Sequence, residues 1–261
     1  MNSKNKSEIK YRGKELFMIN KYEVILLAAG KGERMCLPLN KIFYKDLVNG
    51  KMLIEYSIDL FLDDRRCEKI VIVYNSDDEN EIKEIISKYN DSRLMLTTGG
   101  PLRQESVRNG LKMINSEYVL VHDGARCNLK KEIIDDVVNN LGLYDCCVPG
   151  VKVSDTIKKT INNSIETLNR DLLYYVQTPQ GVKTEAIIKA LEEMKKTETL
   201  VTDESEALER YGKYKIKITN GRKDNIKITT QDDLKLFEYL VRWGNVQDWS
   251  IKRRASFFYW K

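Results

Sequence analysis

Residues Val24 to Lys41, VILLAAGKGERMCLPLNK, constrain the fold more than any other stretch. Val24 to Leu27 is an unbroken apolar run of the kind that forms a strand buried on both faces. It leads into Ala28 and Ala29, then Gly30 and Gly32. Glycines at the carboxyl end of such a strand are where α/β folds bring backbone amides to a ligand, because no Cβ holds an anion away. Arg34 and Lys41 follow as fixed cations, so the loop is suited to a polyphosphate. Two better-known loops are excluded. The dinucleotide pattern G-x-G-x-x-G would need glycine at position 35, which is Met35, and G-x-x-x-x-G-K-[ST] occurs nowhere. Read from the glycines alone, an ordinary strand-to-helix turn is an equal alternative.

The rest of the chain repeats the strand-then-helix rhythm. Ile42 to Leu47 reads as a short strand before a turn at Asn49-Gly50, and Met52 to Leu62 as a buried helix. KIVIVY at Lys69–Tyr74 is a strand with a polar exit at Asn75 to Asp78. Ile82, Ile85, Ile86 and Tyr89 mark a helix face; Leu94 to Thr97 is a strand; Val107, Leu111 and Ile114 mark the next helix. YVLV at Tyr118–Val121, a helix stripe from Ile133 to Leu141, and a strand from Asp145 to Val153 follow. This is an α/β chain with a mostly parallel sheet and helices on both faces. Val151 to Gln177 breaks the rhythm. It reads as a β-hairpin arm turning near Asn162-Asn163, or as a long surface loop, although structureless loops of that length are uncommon. A helix from Ala186 to Met194, a strand at Tyr214–Thr219, a short strand at Asn225–Thr229 and a last helix complete the domain. Thr230 with Asp233 three residues on caps that helix, which contains Leu234, Phe237 and Val241.

The organisation expected is therefore a basic lead-in over 1–22, a single domain over 23–241 with an arm at about 151–177, and a basic, aromatic tail over 242–261. At 261 residues and 42% apolar content the chain can bury a sizeable core. No apolar stretch approaches the ~18 residues that span a bilayer, and the amino terminus lacks the apolar core of a signal peptide; a loose lead-in or a divergent targeting peptide fits it. The tail frays or packs on its own surface, or meets a partner or membrane surface. Five cysteines with no C-x-x-C pair read as reduced, mostly buried thiols of a cytoplasmic protein. The net charge of +5 is mild and well mixed, so an anionic small substrate suffices and nucleic acid is not indicated.

Further chemistry-bearing strings sit at strand ends or in loops. GGPLRQESV at 99–107 offers amides at Gly100 and a hydroxyl at Ser106. HDGAR at 122–126 places Asp123 where a carboxylate serves Mg²⁺ bridging to phosphate oxygens, and Arg126 where a bidentate phosphate contact is natural. His122 is the chain's one histidine, a packing residue or a base. DTIK at 155–158, TLNR at 167–170, TDES at 202–205 and NGRKDNIKIT at 220–229 are ordinary surface polar runs when taken singly.

Together these strings are more specific. LAAGxGxRM with a downstream lysine resembles the signature of sugar-nucleotide-forming nucleotidyltransferases. With GGPLRQESVRNGL, VHDGAR, DTIK, TLNR, TPQ, TDESEALE and NGRKDNIKIT in that order, the chain from Glu23 to Val241 resembles the 2-C-methyl-D-erythritol 4-phosphate cytidylyltransferase family. The resemblance implies a Rossmann-like domain and a homodimer in which the arm reaches into the partner. It implies that CTP and a sugar-alcohol phosphate are the substrates, with Mg²⁺, and that Thr156 and Arg170 complete the neighbour's site. Arg34, Lys41 and Lys227 would then neutralise the phosphates at the transfer step. Arg126, Thr156, Arg170, Thr202 and Lys227 would hold the substrate. Ala28, Ala29, Gly30, Gly32, Gly100, Ser106, Asp123 and Gly124 would cradle the nucleotide, and Asp123 would engage the metal. Gly124, Cys127, Pro101, Asn40, Asn169 and Leu27 depart from the family's usual residues, Pro101 and Asn169 where an acid is usual, without removing a charged catalytic group. Ribitol-5-phosphate cytidylyltransferase is the nearest alternative. An NAD(P)-dependent oxidoreductase and a non-catalytic module binding anions or nucleic acid are alternatives of other classes.

Overall fold

The computed structural model describes residues 8–11, 14–17, 21–30, 35, 40–162, 164–197 and 199–244. Two short strands, β1 (Glu8–Tyr11) and β2 (Lys14–Phe17), pair antiparallel ahead of the main domain. The domain then runs β3 (Tyr22–Leu27), α1 (Leu53–Leu62), β4 (Cys67–Tyr74), α2 (Glu79–Ser87), β5 (Leu94–Thr98), α3 (Arg103–Leu111), β6 (Tyr118–Asp123), α4 (Lys131–Asn140) and β7 (Cys146–Lys152). The arm follows as β8 (Lys158–Ile161) and β9 (Ser164–Thr167). After it come β10 (Tyr174–Val176), β11 (Gln180–Lys183), α5 (Thr184–Thr197), α6 (Glu204–Tyr211), β12 (Ile216–Asn220) and α7 (Gln231–Gly244).

β3 is central, paired in parallel with β4 on one side and β6 on the other, and β5 extends the sheet beyond β4. Its residues alternate between two cores. Val24 and Leu26 join α1, α2 and α4 on one face; Ile25 joins α3, α5 and α6 on the other. That is why the run is apolar without a polar alternate position. A third cluster, with Met35, Leu53, Cys127, Ile228 and Phe237, seats α7 against α1. The Asp233 carboxylate accepts from the backbone N–H and hydroxyl of both Thr229 and Thr230 at 2.7–2.9 Å, the helix start read from Thr230 and Asp233.

The structure departs from the sequence reading in the β1–β2 pair, which lies in the expected loose lead-in, and at further places in the main domain. Ile42 to Leu47 is not a strand: a 3-10 turn covers Lys41–Phe43, a lone bridge joins Lys45 to Met52, and Gly50 turns with φ +66. Asn225 to Thr229 makes no strand pairing; the segment is instead pinned by the Ile228 N–H donating to the Ala125 carbonyl at 2.9 Å. A strand not read from the sequence, β11, lies antiparallel between β6 and β7. α6 was likewise not read, since Ala207 and Leu208 are its only buried apolar side chains.

A hairpin stands within the 151–177 segment. β8 and β9 pair antiparallel with all their side chains exposed, and Asn162 turns the chain at φ 46, a conformation asparagine tolerates. Only the ends of the 151–177 segment belong to the main sheet, where β10 pairs antiparallel with the end of β7. Among the described residues no helix is long and apolar enough to cross a membrane.

Candidate active site

β3, β4 and β6 bring their carboxyl ends to one edge of the sheet, with Leu27 in register with Val73 on one side and Asp123 on the other. Short backbone bonds lock the exits: Ala28 N–H to the Val73 carbonyl, Gly99 N–H to Tyr74 and Gly124 N–H to Leu27, at 2.7–2.8 Å. Beyond this edge lies a cleft of about 510 Å³. Of the residues singled out in the sequence, Ala28, Ala29, Gly30, Lys41, Gly100, Ser106, Asp123 and Lys227 line it. Gly32 and Arg34 lie outside the described residues.

The glycine loop before α3 is fitted closely. A Cβ on Gly99 would stand 2.5 Å from the Ala29 Cβ, so the loop reaches the β3 exit only without a side chain. The Ser106 hydroxyl accepts from the Gly100 N–H at 3.1 Å and holds that loop in place. Asn40 tethers the other wall. Its side-chain amide donates to Asp78 at 2.8 Å and to the Ala28 carbonyl at 3.3 Å, while its Oδ1 faces the Ile42 N–H at the start of the turn that carries Lys41.

Asp123 is the electrostatic centre. Its Oδ2 lies 2.8 Å from the Lys227 ammonium and 3.9 Å from Arg126 Nε, and its Oδ1 lies 3.7 Å from Arg103. Burial alone would push this carboxyl up. Arg103, Lys227 and Arg126 outweigh that and hold it well below the usual carboxylate range. It is therefore a carboxylate at neutral pH, facing a cleft. Among the described residues no three His, Cys, Asp or Glu side chains cluster as metal ligands. One carboxylate supplemented by substrate phosphates and water is the donor set that suits Mg²⁺, and Asp123 fits it.

His122 is a structural link. It is fully buried, packs edge-on against Phe61, and places Nδ1 3.0 Å from the Thr178 hydroxyl and Nε2 3.3 Å from the Arg126 carbonyl. The carbonyl can only accept, so Nε2 carries the proton and Nδ1 accepts from Thr178. The Thr178 oxygen in turn accepts from the Asp123 N–H at 3.1 Å. Burial lowers the His122 pKa to about 4, which leaves the ring neutral. Among the described residues no thiol is poised for attack either: burial pushes Cys67 and Cys147 up to about 12.

The remaining residues stand apart from the cleft lining. Gly124 lies just behind it. Arg126 donates from Nη1 to the Asn225 carbonyl at 2.9 Å and from Nη2 toward Val176, so it braces the segment bearing Lys227. Thr202 is exposed and donates to Glu206. Thr156 and Arg170 sit on the exposed arm, where Arg170 donates to the Ser154 carbonyl at 2.8 Å. Of the charged side chains among the described cleft residues, Arg103 is the one given no role from the sequence. Arg103 lines the cleft and forms a two-point ion pair with Glu204, at 2.7 and 3.0 Å. Its only sequence signal was its place inside GGPLRQESV.

The chain matches the family model for 2-C-methyl-D-erythritol 4-phosphate cytidylyltransferase over residues 22–243. It is 38% identical over 223 residues to the enzyme of that name from Geobacillus kaustophilus, covering 84% of this chain and 96% of the relative. It is 36% identical over 237 residues to the one from Clostridioides difficile, covering 89% and 99%. The solved structure of 4-diphosphocytidyl-2C-methyl-D-erythritol synthase from Anaerococcus prevotii superposes with a TM-score of 0.76 at 31% identity, covering 85% of this chain and 99% of that one.

Proposed function

The chain belongs to the 2-C-methyl-D-erythritol 4-phosphate cytidylyltransferase family, and from that premise we propose how its own residues carry out the reaction. The chain is a cytidylyltransferase of the non-mevalonate isoprenoid pathway. It transfers the cytidylyl group of CTP to 2-C-methyl-D-erythritol 4-phosphate and releases pyrophosphate.

An oxygen of the methylerythritol phosphate attacks the α-phosphorus of CTP in line as pyrophosphate departs. A phosphate monoester is largely dianionic near neutral pH, so the step needs positioning and charge neutralisation rather than a base. A neutral, buried His122 agrees with that. The nucleotide lies along Ala28 to Gly30 and Gly100, which line the cleft. Lys227 and Lys41 neutralise the reacting phosphates, joined by Arg34. Arg126 acts through Asn225, fixing the segment that presents Lys227. Asp123, together with the nucleotide phosphates, would hold Mg²⁺, which would supply neutralisation of charge on the phosphate oxygens. Thr202 contacts the methylerythritol phosphate from beside the cleft.

The active form is a homodimer in which Thr156 and Arg170 reach the partner's cleft. Both are exposed, flank the β8–β9 hairpin and do not line the cleft of their own chain, which supports this, as do the exposed apolar side chains Ile165 and Leu172 on the same arm. Buried free thiols at Cys67, Cys127, Cys146 and Cys147 support a reducing, cytoplasmic setting.

The observation that carries the mechanism is the Lys227–Asp123 pair, together with Lys41, at the mouth of a glycine-lined cleft. The test is pyrophosphate release with CTP and Mg²⁺, comparing 2-C-methyl-D-erythritol 4-phosphate with ribitol 5-phosphate. Release with the first alone is expected. Release with ribitol 5-phosphate alone would move the substrate assignment.

A further inference from the structure

Glu204 is a nearly fully buried carboxylate, 2% exposed, at the start of α6. The mechanism above gives it no part. Its two oxygens accept from the two terminal nitrogens of Arg103 at 2.7 and 3.0 Å, the paired geometry in which a guanidinium and a carboxylate bind best. The same Arg103 nitrogen that bonds Glu204 Oε2 stands 3.7 Å from Asp123 Oδ1, too far for a hydrogen bond. Asp123 therefore has Lys227 in hydrogen-bond contact on one oxygen and Arg103 held off the other.

Glu204 decides that arrangement. Without it, both terminal N–H groups of Arg103 lose their acceptor, and the nearest carboxylate is Asp123, less than about 1 Å beyond bonding distance. Closing that gap would give Arg103 the two-point contact with Asp123 and displace the single-point ammonium of Lys227.

We propose that Glu204 is a positioning residue for cytidylyl transfer: it holds the Arg103 guanidinium in the cleft wall and off the Asp123 carboxylate, so that Lys227 keeps its place at the reacting phosphates. The proposal rests on the role given above to Asp123 and Lys227. It assigns a duty to the TDES motif beyond Thr202, and it links α6 to the transfer centre through one side chain.

The test is a double-mutant cycle in the full-length protein, read as kcat and KM for CTP by pyrophosphate release, with melting temperature recorded for each variant. Glu204→Gln keeps the side chain's size and removes its charge. It is expected to lower kcat by roughly 10-fold with a much smaller change in KM for CTP, since the defect lies at the transferred phosphate. In an Arg103→Ala background the same substitution is expected to lower kcat by less than about 2-fold, because the group it positions is gone. Equal losses in the two backgrounds would overturn the proposal in favour of a role in holding α6, as would a Glu204→Gln enzyme with wild-type kcat. Should Glu204→Gln not fold, Arg103→Lys decides the matter. It retains the charge and loses the two-point contact, so a several-fold loss of kcat is expected and a wild-type rate overturns the proposal. A folded wild-type chain that releases no pyrophosphate would overturn the underlying reading and this proposal with it; an active wild type with additive variants overturns this proposal alone.

Discussion

The ammonium of Lys227 lies 2.8 Å from the Asp123 carboxylate, joining the end of β6 to the irregular segment ahead of α7. Neither residue has a catalytic environment by itself. Asp123 is a strand-terminal acid and Lys227 a surface lysine until the chain closes on itself. Arg103 and Arg126 stand within 4 Å of the same carboxylate, at 3.7 and 3.9 Å.

Lys227→Ala and Lys41→Ala should each lower kcat by about 10²–10³-fold, the usual cost of losing one preorganised group that meets developing charge. Both side chains line the cleft, so the folded structure should survive, as checked by circular dichroism and melting temperature. Near-wild-type turnover of either variant would remove that residue from the mechanism.

Arg170→Ala should raise KM for the methylerythritol phosphate more than KM for CTP. If the arm serves the partner, mixing Arg170→Ala with Lys227→Ala subunits should restore about a quarter of wild-type activity after exchange, because each mixed dimer then contains one intact site. A mixture no more active than its components would place Arg170 outside the partner's site.

His122 should contribute no ionisation to the pH dependence of kcat between about pH 6 and 8. Burial lowers its pKa to about 4 against 6.5 for an unperturbed ring. The folded state therefore resists protonation that the unfolded chain accepts. Stability attributable to this ring is intact above pH 6.5 and falls as pH drops through 4, by a total on the order of 3 kcal/mol. Urea unfolding at pH 7, 5 and 4 measures this; His122→Asn should flatten the profile over that window.

Asp233→Ala should cost about 1–2 kcal/mol by removing the cap of α7. It should also reduce activity, because the same carboxylate fixes Thr229 and Thr230, two and three residues after Lys227. Chemical denaturation gives the first quantity and pyrophosphate release the second; a stability loss with unchanged kcat would separate the cap from the site.

Much of this architecture was legible in the chain. β3, β4 and β6 are apolar runs whose burial on both faces follows from their composition, and α2, α4 and α7 carry apolar stripes at helical spacing. The glycines at the strand exits, Lys41, Asp123 and Lys227 were all singled out, and the structure gathers Ala28 to Gly30, Gly100, Lys41, Asp123 and Lys227 around one cleft. Those features are local: a strand, a helix stripe or a glycine turn is set by residues within a few positions of one another.

What the tertiary structure alone decided is non-local. Gln180 to Lys183 is too short and mixed to announce a strand, and becomes one because the exposed edges of β6 and β7 both need partners. Asn225 to Thr229 looks like a strand and is not, because Ile228 is drawn to Ala125 and Asp233 holds the segment's end. The pairing of Arg103 with Glu204 and the neutrality of His122 depend on which groups the topology buries side by side. Sequence periodicity records which face of an element is apolar; it carries no record of which distant charge will share that element's desolvated end, and the strength of each charge here is set by that company.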